Sequence, residues 1–400
     1  MVQFSFVLLC YNNWSMTKQA ITSLIESLDS VHRSKGIELI IVDNGSTDET
    51  PKGIEEIKEE YENNNLIKIE NVRLEKNMGY TPGINAGLSK CQGKIIAVLN
   101  NDLAFPPNWL NGLVEALESD EKIGLVAPYL SLSSGIQNVN KTFTSFDEMK
   151  IFAAHFMDQE TNITFTHRVI GACMVFKQEV IELTGGNDIW FGLGQFDDDD
   201  WCIRTLLAGY KIAVVGKSFV HHICTVTYRQ QYGIMQESYY VNEAKMRNKW
   251  GLQPIQTILD YVPYSKEKHY FPSKIEEFNQ LPSPSIHKRS GCRQFLLVAD
   301  WTHGFSKWKD KLFHSLQNLS GEDEIHLWIP NLYYRGFDAL KEIKDLDAIS
   351  LSKVKINHDT ISPSDTLIFL KSFDAIYSVD EDYINKYFVS IAERLSIPAY

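Results

Sequence analysis

The chain has 400 residues, of which 44% are hydrophobic and 22% are charged, and its formal net charge is −12. This length allows two or three domains with sizeable cores, and the composition is that of an ordinary globular protein. The acidic balance argues against non-specific nucleic-acid binding and gives no general attraction to anionic membranes.

The cysteines and the N-terminus indicate an ordinary cytoplasmic protein. The six cysteines form no C-x-x-C pair and do not stand with histidines at zinc-finger spacing. We interpret them as small buried side chains in a reducing compartment. The apolar N-terminal run has no basic segment and no cleavage site, so it is predicted to be a core strand rather than a signal peptide. No apolar run reaches the roughly 20 residues that span a bilayer.

The first 105 residues alternate between buried-strand and helix patterns. Strands are predicted at FSFVLLC, IELIIVD, LIKIENV and KIIAVLN, and a glycine-punctuated helix is predicted within NMGYTPGINAGL. This alternation predicts an α/β fold with a mostly parallel sheet flanked by helices. Polar residues follow each strand, at the carboxyl edge where open α/β sheets bind ligands.

The rest of the chain is less regular. A strand and a helix are predicted within GACMVFKQEVIELTGG, and a second helix runs from the aspartates to Ala208, with Asp200 as a candidate N-cap. The stretch LPSPSIHKRSGCR marks a domain boundary. We therefore predict a first domain over 1–251, a helical extension and linker over 252–292, and a smaller Rossmann-like α/β domain over 293–400. The last is expected to bind acceptor or to mediate assembly.

Seven motifs occur in the order found in one enzyme family. They are SFVLLCYNN, IIVDNGSTDET, NMGYTPGINAGL, VLNND, GACMVFKQEVIELTGG, FDDDDWCIRTLLAGYKI and NKWG. Together they resemble glycosyltransferase family 2 over about residues 1–251. The resemblance implies the GT-A fold and a catalytic domain that moves a sugar from a nucleotide sugar to a hydroxyl group, with inversion at the anomeric carbon.

The donor nucleotide needs a binding site for its base and ribose. Asp43 ends the second strand, where its carboxylate can accept a hydrogen bond from uracil or thymine N3–H or from a ribose hydroxyl; a plain turn residue is the alternative. The expected donor is a UDP- or dTDP-sugar. The resemblance implies further donor-binding residues, namely Cys10, Tyr11, Asn12, Asn77, Gly79, Asn85, Asn100 and Asn101.

The departing diphosphate needs a counter-charge, which the family supplies as Mn²⁺ or Mg²⁺ held by a D-x-D motif. Here that motif reads Asn100-Asn101-Asp102, so its first aspartate is missing. The resemblance implies that Asp102 is a metal ligand and that His221 is the second, with His222 less favoured. A buried structural histidine is the alternative for His221. Carboxylate, imidazole and phosphate groups are suitable ligands for these cations.

Four consecutive aspartates, 197 to 200, precede the last predicted helix of the first domain. The resemblance implies that Asp198 is the general base and that Asp197 is its nearest rival. Neighbouring carboxylates raise a pKa whereas a helix N-terminus favours the anion, and the pattern does not decide which effect is larger. A solvated acidic turn and a calcium loop are the alternatives. Nearby aromatic residues suit either a sugar platform or the core: Trp190, Phe191, Phe196 and Trp201.

The acceptor is expected to be a glycan of a bacterial surface polysaccharide or a glycoprotein. Peripheral contact with a membrane-bound acceptor and homo-oligomer formation are compatible with this expectation. A sugar-nucleotide-binding protein without catalysis is the alternative, which the incomplete D-x-D motif favours. A nucleotidyltransferase would need a basic glycine-rich loop after the first strand, and CYNNWSMT has none.

Overall fold

A computed structural model describes most of the first 246 residues. The described ranges there are 2–62, 67–207, 209–223, 238–243 and 245–246. Four short strands and residue 398 are described in the C-terminal region. The NKWG motif, the predicted linker at 252–292 and the parts of 293–400 between those strands lie outside the described residues.

The N-terminal region contains nine described strands and eight α-helices. The strands are β1 Phe4–Cys10, β2 Ile37–Asp43, β3 Lys68–Arg73, β4 Ile95–Asn100, β5 Leu103–Ala104, β6 Ile123–Leu130, β7 Ile163–Thr166, β8 Cys173–Lys177 and β9 Lys211–His222. The helices are α1 Trp14–Ser27, α2 Ser30–Ser34, α3 Thr50–Glu62, α4 Tyr80–Leu88, α5 Trp109–Ser119, α6 Phe146–Gln159, α7 Gln178–Thr184 and α8 Asp197–Leu207. Residues 238–243 are also helical.

These strands form one sheet in the order β3-β2-β1-β4-β8-β6-β9-β5, and β7 also pairs with β9. Strands β1 to β4 are parallel, whereas β8 enters antiparallel between β4 and β6. The predicted fold class is confirmed. The strand order reverses at β1, with β2 on one side and β4 on the other. Ligands of such sheets bind outside the strand ends at this reversal.

The core lies on both faces of the sheet because alternate side chains of a strand point to opposite faces. On β1, Phe6 and Leu8 belong to a cluster that includes residues of α1 and α5, whereas Val7 belongs to a cluster that includes residues of α4 and α8. All seven residues of β1 are buried. Burial on both faces explains why the strand has a nearly continuous apolar sequence.

Helix α8 begins at Asp197, three residues earlier than the candidate cap Asp200. The backbone N–H of Asp200 already donates to the carbonyl of Phe196 over 3.0 Å, so Asp200 lies inside the first turn. Its Oδ2 is 2.9 Å from Nε of Arg204, one turn later, and both side chains are buried. The predicted N-cap role of Asp200 is therefore wrong, and the side chain forms a buried ion pair instead.

We expect Arg204→Ala to destabilise the domain severely. Its guanidinium pairs with Asp200 and donates to the carbonyl of Thr184 over 2.6 Å, so its removal leaves a buried carboxylate without its counter-charge. Breaking such a pair costs about 3–5 kcal/mol of unfolding free energy. Urea unfolding measures the change, and Lys217→Ala is the control because Lys217 pairs with Glu115 at the surface. Equal effects of the two substitutions would contradict the expectation.

The C-terminal region contains a second, parallel sheet. Its strands are β10 Gln294–Val298, β11 Glu324–Trp328, β12 Val354–Ile356 and β13 Ala375–Ser378, in the order β12-β11-β10-β13. Strands β10, β11 and β13 coincide with the predicted strands QFLLVAD, EIHLWIP and FDAIYSV. Across the described part of the chain, no helix combines the length and the hydropathy needed to cross a membrane.

Candidate functional site

The loops after β1 and β2 meet at the carboxyl edge of the sheet. The backbone N–H of Asn12 donates to Oγ of Ser46 over 2.8 Å, and Oδ1 of Asn12 accepts from the N–H of Thr47 over 2.8 Å. Asn12 has a φ of 56°, which asparagine tolerates better than most residues. Tyr11 is 37% exposed beside this junction, whereas Cys10 is buried and donates to the carbonyl of Val42. Tyr11 is therefore the most exposed side chain of the three.

The carboxylate of Asp43 is fully buried and already has partners on both oxygens. Oδ1 accepts from the N–H of Ser46 over 2.8 Å, and Oδ2 forms an ion pair with Nη1 of Arg73. Arg73 also donates from Nη2 to the carbonyl of Ser46 over 3.1 Å, yet its side chain is 48% exposed. The sequence reasoning missed Arg73, although a cation directly after the predicted strand LIKIENV was a signal. The buried Asp43 carboxylate is therefore paired with a cation that reaches the surface.

The turn before α4 is built by the amide side chain of Asn77. Its Oδ1 accepts from the N–H of Gly79 over 2.9 Å and from Nδ2 of Asn44 over 3.1 Å. Gly79 has a φ of +96°, and a Cβ there would lie 2.7 Å from the carbonyl oxygen of Gly192. Glycine is therefore required, and α4 begins in direct contact with the loop that leads to the aspartates.

Asn85 is used inside the fold rather than at the sheet edge. Its Nδ2 donates to the carbonyl of Asn187 over 2.7 Å, and its Oδ1 accepts from the N–H of Asn187 over 2.8 Å. Asn85 is 2% exposed. The structure therefore places this predicted donor-binding residue as a tether between α4 and the segment that precedes α8.

The end of β4 brings Asn100 and Asn101 to the same edge. Oδ1 of Asn100 accepts from the hydroxyl of Tyr80 over 3.1 Å, and Asn101 donates from Nδ2 to Oγ1 of Thr17 over 2.9 Å. The hydroxyl of Tyr80 also lies 3.4 Å from the carbonyl oxygen of Gly171. Tyr80 is a site residue that the sequence reasoning missed, although it directly follows Gly79 in the NMGY motif.

Asp102 lies beside His222 rather than His221. Oδ2 of Asp102 is 3.3 Å from Nε2 of His222, and Nδ1 of His222 is 2.9 Å from the carbonyl oxygen of Leu132. A hydrogen bond from Nδ1–H to that carbonyl orients the His222 ring so that Nε2 lies toward Asp102. Oδ1 of Asp102 is buried and has no hydrogen-bond partner among the described residues. A carboxylate oxygen and an imidazole nitrogen thus face each other at the end of β4.

His221 has a different environment. Its Nδ1 lies 2.6 Å from Oγ of Ser131, and its ring meets Phe143 edge-on with the centroids 5.1 Å apart. Burial, with a smaller contribution from the nearby His222, lowers the pKa of His221 to about 4. The ring is therefore neutral at physiological pH and packs against an aromatic cluster.

The residues at Asp102 suit a divalent cation. A ligating histidine usually donates its second ring N–H to a carbonyl or carboxylate, as His222 does to Leu132. The unpartnered Oδ1 of Asp102 supplies an anionic oxygen. No group of three or more histidine, cysteine, aspartate or glutamate residues at metal-binding distance occurs in the described part of the chain. Such a pair suits Mg²⁺ or Mn²⁺ if phosphate oxygens and water complete the coordination.

The four aspartates have four different environments, and Asp198 alone is not fully buried. Its Oδ2 accepts from the N–H of Gly171 over 2.8 Å, and its Oδ1 from the N–H of Asp199 over 3.0 Å. Burial raises the pKa of Asp197 well above its usual value, and the charge of Asp198 raises it further. Asp197 is also the less accessible of the two carboxyl groups.

The remaining two aspartates form ion pairs. Burial raises the pKa of Asp199 to about 6, while its partner Arg168 opposes the shift. Asp200 pairs with Arg204. The described aromatic side chains nearby belong to the core: Phe191, Phe196 and Trp201 are each at most 5% exposed, and Trp201 stacks on Phe176 with centroids 4.4 Å apart. The core alternative is thus confirmed for these three rings, whereas the side chain of Trp190 lies outside the described residues.

The separate loops converge on the hydroxyl of Tyr80. Burial raises the pKa of Tyr80 well above its usual value, and the negative charges of Asp197, Asp198 and Asp102 raise it further. This hydroxyl also contacts Asn100, two residues before Asp102, and Gly171, whose N–H binds Asp198. The end of the VLNND motif and the acidic run are therefore connected through the hydroxyl of Tyr80.

The fold and this edge define an α/β domain of the class that binds ligands at the carboxyl ends of its strands. Within that class, residues 5–184 match the family model described as glycosyl transferase family 2. Residues 5–184 therefore resemble this family, and the resemblance seen in the motifs is confirmed over that range. The match ends before α8, so the four aspartates lie beyond it.

Two curated relatives illustrate the range of similar proteins. The chain is 31% identical over 146 residues to the minor teichoic acid biosynthesis protein GgaA of Bacillus subtilis strain 168, covering 35% of this chain and 31% of that one. It is 32% identical over 114 residues to an undecaprenyl-phosphate 4-deoxy-4-formamido-L-arabinose transferase of Proteus mirabilis strain HI4320, covering 28% and 33%. The chain thus spans only about a third of the length of these relatives.

Solved glycosyltransferase structures are similar at lower identity. A mannosyltransferase from Pyrobaculum calidifontis, in complex with GDP-Man and Mn²⁺, matches with a TM-score of 0.44 and 18% identity over 61% of this chain and 64% of that chain. GalNAc-T7 with UDP, GalNAc and Mn²⁺ matches with a TM-score of 0.49 and 15% identity over 63% and 49%.

Proposed function

We propose that the protein is an inverting glycosyltransferase that moves a sugar from a UDP- or dTDP-sugar to a hydroxyl group of a glycan acceptor. The observation that carries the proposal is the pair of contacts made by the Tyr80 hydroxyl, to Asn100, two residues before Asp102, and to Gly171, whose N–H binds Asp198. Asp102, whose Oδ1 has no hydrogen-bond partner among the described residues, and Asp198, which is partly exposed, then lie at the same edge of a family 2 domain. Sugar transfer requires both a counter-charge and a base.

Asp198 would be the general base. In a single displacement the acceptor hydroxyl transfers its proton to the Asp198 carboxylate while its oxygen bonds to the anomeric carbon. The bond from that carbon to the diphosphate oxygen breaks on the opposite face, and the nucleoside diphosphate leaves with the bonding electrons. The N–H groups of Gly171 and Asp199 hold the carboxylate in place, which favours a fixed direction of attack.

The donor would lie along the edge from β2 to β4. Tyr11 is exposed at this edge, where it is proposed to contact the nucleotide base. Arg73 is half-exposed and pairs with the buried Asp43 carboxylate. We propose that Asp43 acts through this pair and that Asn12, Asn77 and Gly79 shape the backbone that the nucleotide contacts. Cys10, Asn85, Asn100 and Asn101 support these loops through contacts within the protein.

We propose that Asp102 and His222 hold Mn²⁺ or Mg²⁺, with His222 in the place that the family resemblance gives to His221. The bound cation would neutralise charge on the departing diphosphate. The support is the proximity of Asp102 Oδ2 to Nε2 of His222 and the hydrogen bond to Leu132 that orients the His222 ring.

Alanine substitutions of the two adjacent histidines test whether His222 or His221 is the metal ligand. We expect His222→Ala to weaken Mn²⁺-dependent UDP binding by roughly ten-fold or more, since it removes a proposed ligand. We expect His221→Ala to lower the melting temperature through lost contacts with Ser131 and Phe143, with a smaller effect on that binding. Calorimetric titration with UDP and Mn²⁺ checks both variants. A larger loss in His221→Ala would assign the metal to His221.

The acceptor is proposed to be part of a bacterial surface polysaccharide or a glycoprotein. The Bacillus subtilis relative is a teichoic acid biosynthesis protein, which supports the surface polysaccharide. We propose that the C-terminal region over 293–400 binds the acceptor or mediates assembly. We also propose that the protein is cytoplasmic and forms a homo-oligomer.

Titration of UDP, dTDP and GDP into the full chain, with Mn²⁺ and with chelator, tests the donor assignment. The proposal predicts that UDP or dTDP binds more tightly than GDP and that the chelator weakens this binding. Preference for GDP would contradict the donor assignment. Binding of a sugar nucleotide without any transfer to a glycan panel would favour the alternative of a catalytically inactive binding protein.

A further inference from the structure

Asn242 closes the loop that precedes the acidic helix. This side chain lies on the helical residues 238–243 and is 2% exposed. Its single Nδ2 group donates to the carbonyl of Phe191 over 2.7 Å and to the carbonyl of Gly194 over 2.6 Å. Two backbone carbonyls three residues apart therefore converge on one buried amide from a distant segment of the chain.

The closed loop continues into three residues of left-handed backbone. The φ angles are 97° at Gly194, 77° at Gln195 and 64° at Phe196. Only the first is a glycine, and side chains at the other two positions disfavour this conformation. Such backbone persists where surrounding contacts determine it. Asn242 supplies two of those contacts, directly at the start of the run.

A second set of contacts holds the opposite side of the loop. The carbonyl of Gly192 accepts from the N–H of Thr81 over 3.0 Å, close to the start of α4. Helix α4 also holds Asn187 through Asn85. The segment from 187 to 194 is therefore fixed between α4 and the residues 238–243.

The end of this loop sets the first turn of α8. The carbonyl of Phe196 accepts from the N–H of Asp200, which places Asp198 within that turn. The Phe196 ring packs against Tyr239 with centroids 5.0 Å apart, three residues from Asn242 along the same helical segment. A displacement of this segment would therefore move the backbone that carries Asp198.

We propose that Asn242 is a positioning residue for Asp198, acting through the carbonyls of Phe191 and Gly194. The kinetic part of this inference rests on the proposed glycosyl transfer, whereas the structural part does not. Asn242 lies beyond the matched family region at 5–184. A role in orienting the base predicts an effect on the chemical step with little effect on donor binding.

The test combines kinetics with hydrogen–deuterium exchange on the full chain. For Asn242→Ala we expect kcat for sugar transfer to fall by roughly ten-fold or more because of the displaced base, with the donor KM within about three-fold of wild type. We also expect faster exchange in peptides spanning 191–200 and unchanged exchange in β1 to β4. Asn242→Asp, which keeps the side-chain volume and loses the donor, is measured alongside in case the alanine variant does not fold.

Ser27→Ala is the matched control. Ser27 lies on α1, away from the acidic loop. Its Oγ accepts a buried hydrogen bond from Nε1–H of Trp109 over 2.9 Å, which the substitution removes. The control should leave exchange at 191–200 and kcat unchanged. The proposal is overturned if the Asn242 variants keep wild-type exchange at 191–200, or if donor KM rises as much as kcat falls. Absence of transfer by wild type would contradict the proposed function, and the exchange readout would still decide the positioning role.

Discussion

Asp198→Asn is expected to abolish nearly all sugar transfer while leaving donor binding intact. The amide has almost the same shape and its oxygen can still accept from the N–H of Gly171, which binds the carboxylate over 2.8 Å. It cannot take a proton from the acceptor, and loss of a general base lowers kcat by about 10²–10⁴-fold. Initial rates of nucleoside diphosphate release, together with titration of UDP, measure the two effects separately.

The control for this prediction is Asp147→Asn. Asp147 also lies in the first turn of a helix, but it is exposed on α6. We expect it to retain wild-type kcat. Asp197→Asn is the rival test: Asp197 is buried whereas Asp198 is partly exposed, so the amide at Asp197 should reduce kcat less than Asp198→Asn does. A larger loss in Asp197→Asn would reverse the two assignments.

Asp102→Asn is expected to remove the response of the protein to Mn²⁺. Its Oδ1 is buried without a hydrogen-bond partner among the described residues, and its Oδ2 is 3.3 Å from Nε2 of His222. Loss of the carboxylate charge removes the anionic ligand from this proposed pair. We expect kcat/KM to fall by about 10²-fold or more, which is comparable to the loss of one strong electrostatic contact to developing charge.

Wild type with chelator is the internal control for Asp102→Asn. The two should have the same UDP affinity, and adding Mn²⁺ should restore only wild type. If Asp102→Asn still binds UDP more tightly with Mn²⁺ than without it, the metal is held elsewhere. A substitution that lowers the melting temperature without changing the Mn²⁺ response would likewise contradict the assignment.

The fold was predictable from local pattern, because β1, β2 and β4 are buried on both faces and therefore have nearly continuous apolar sequences. The motif order also located the site at the ends of these strands. Side-chain partners were less predictable. Arg73 and Tyr80 meet their partners through tertiary contacts across 20 to 91 residues of sequence, which spacing along the chain does not reveal.

The acidic run illustrates the same limit. Sequence proximity suggests four equivalent charges, but helix geometry directs successive side chains about 100° apart. Asp200 therefore reaches Arg204 one turn later, Asp199 reaches Arg168, and Asp198 reaches the backbone of Gly171. The choice between His221 and His222 is similar, since adjacent strand residues point to opposite faces and only one can face Asp102.

The most direct test of the account is acceptor-dependent release of nucleoside diphosphate by wild type and by Asp198→Asn, with UDP- and dTDP-sugars and a glycan panel. The account predicts release by wild type with at least one donor, and nearly none by Asp198→Asn at equal donor occupancy. Release at equal rates by the two proteins would contradict the role of Asp198 as the base. Binding of these donors by wild type with no release for any acceptor would contradict the proposed transferase activity.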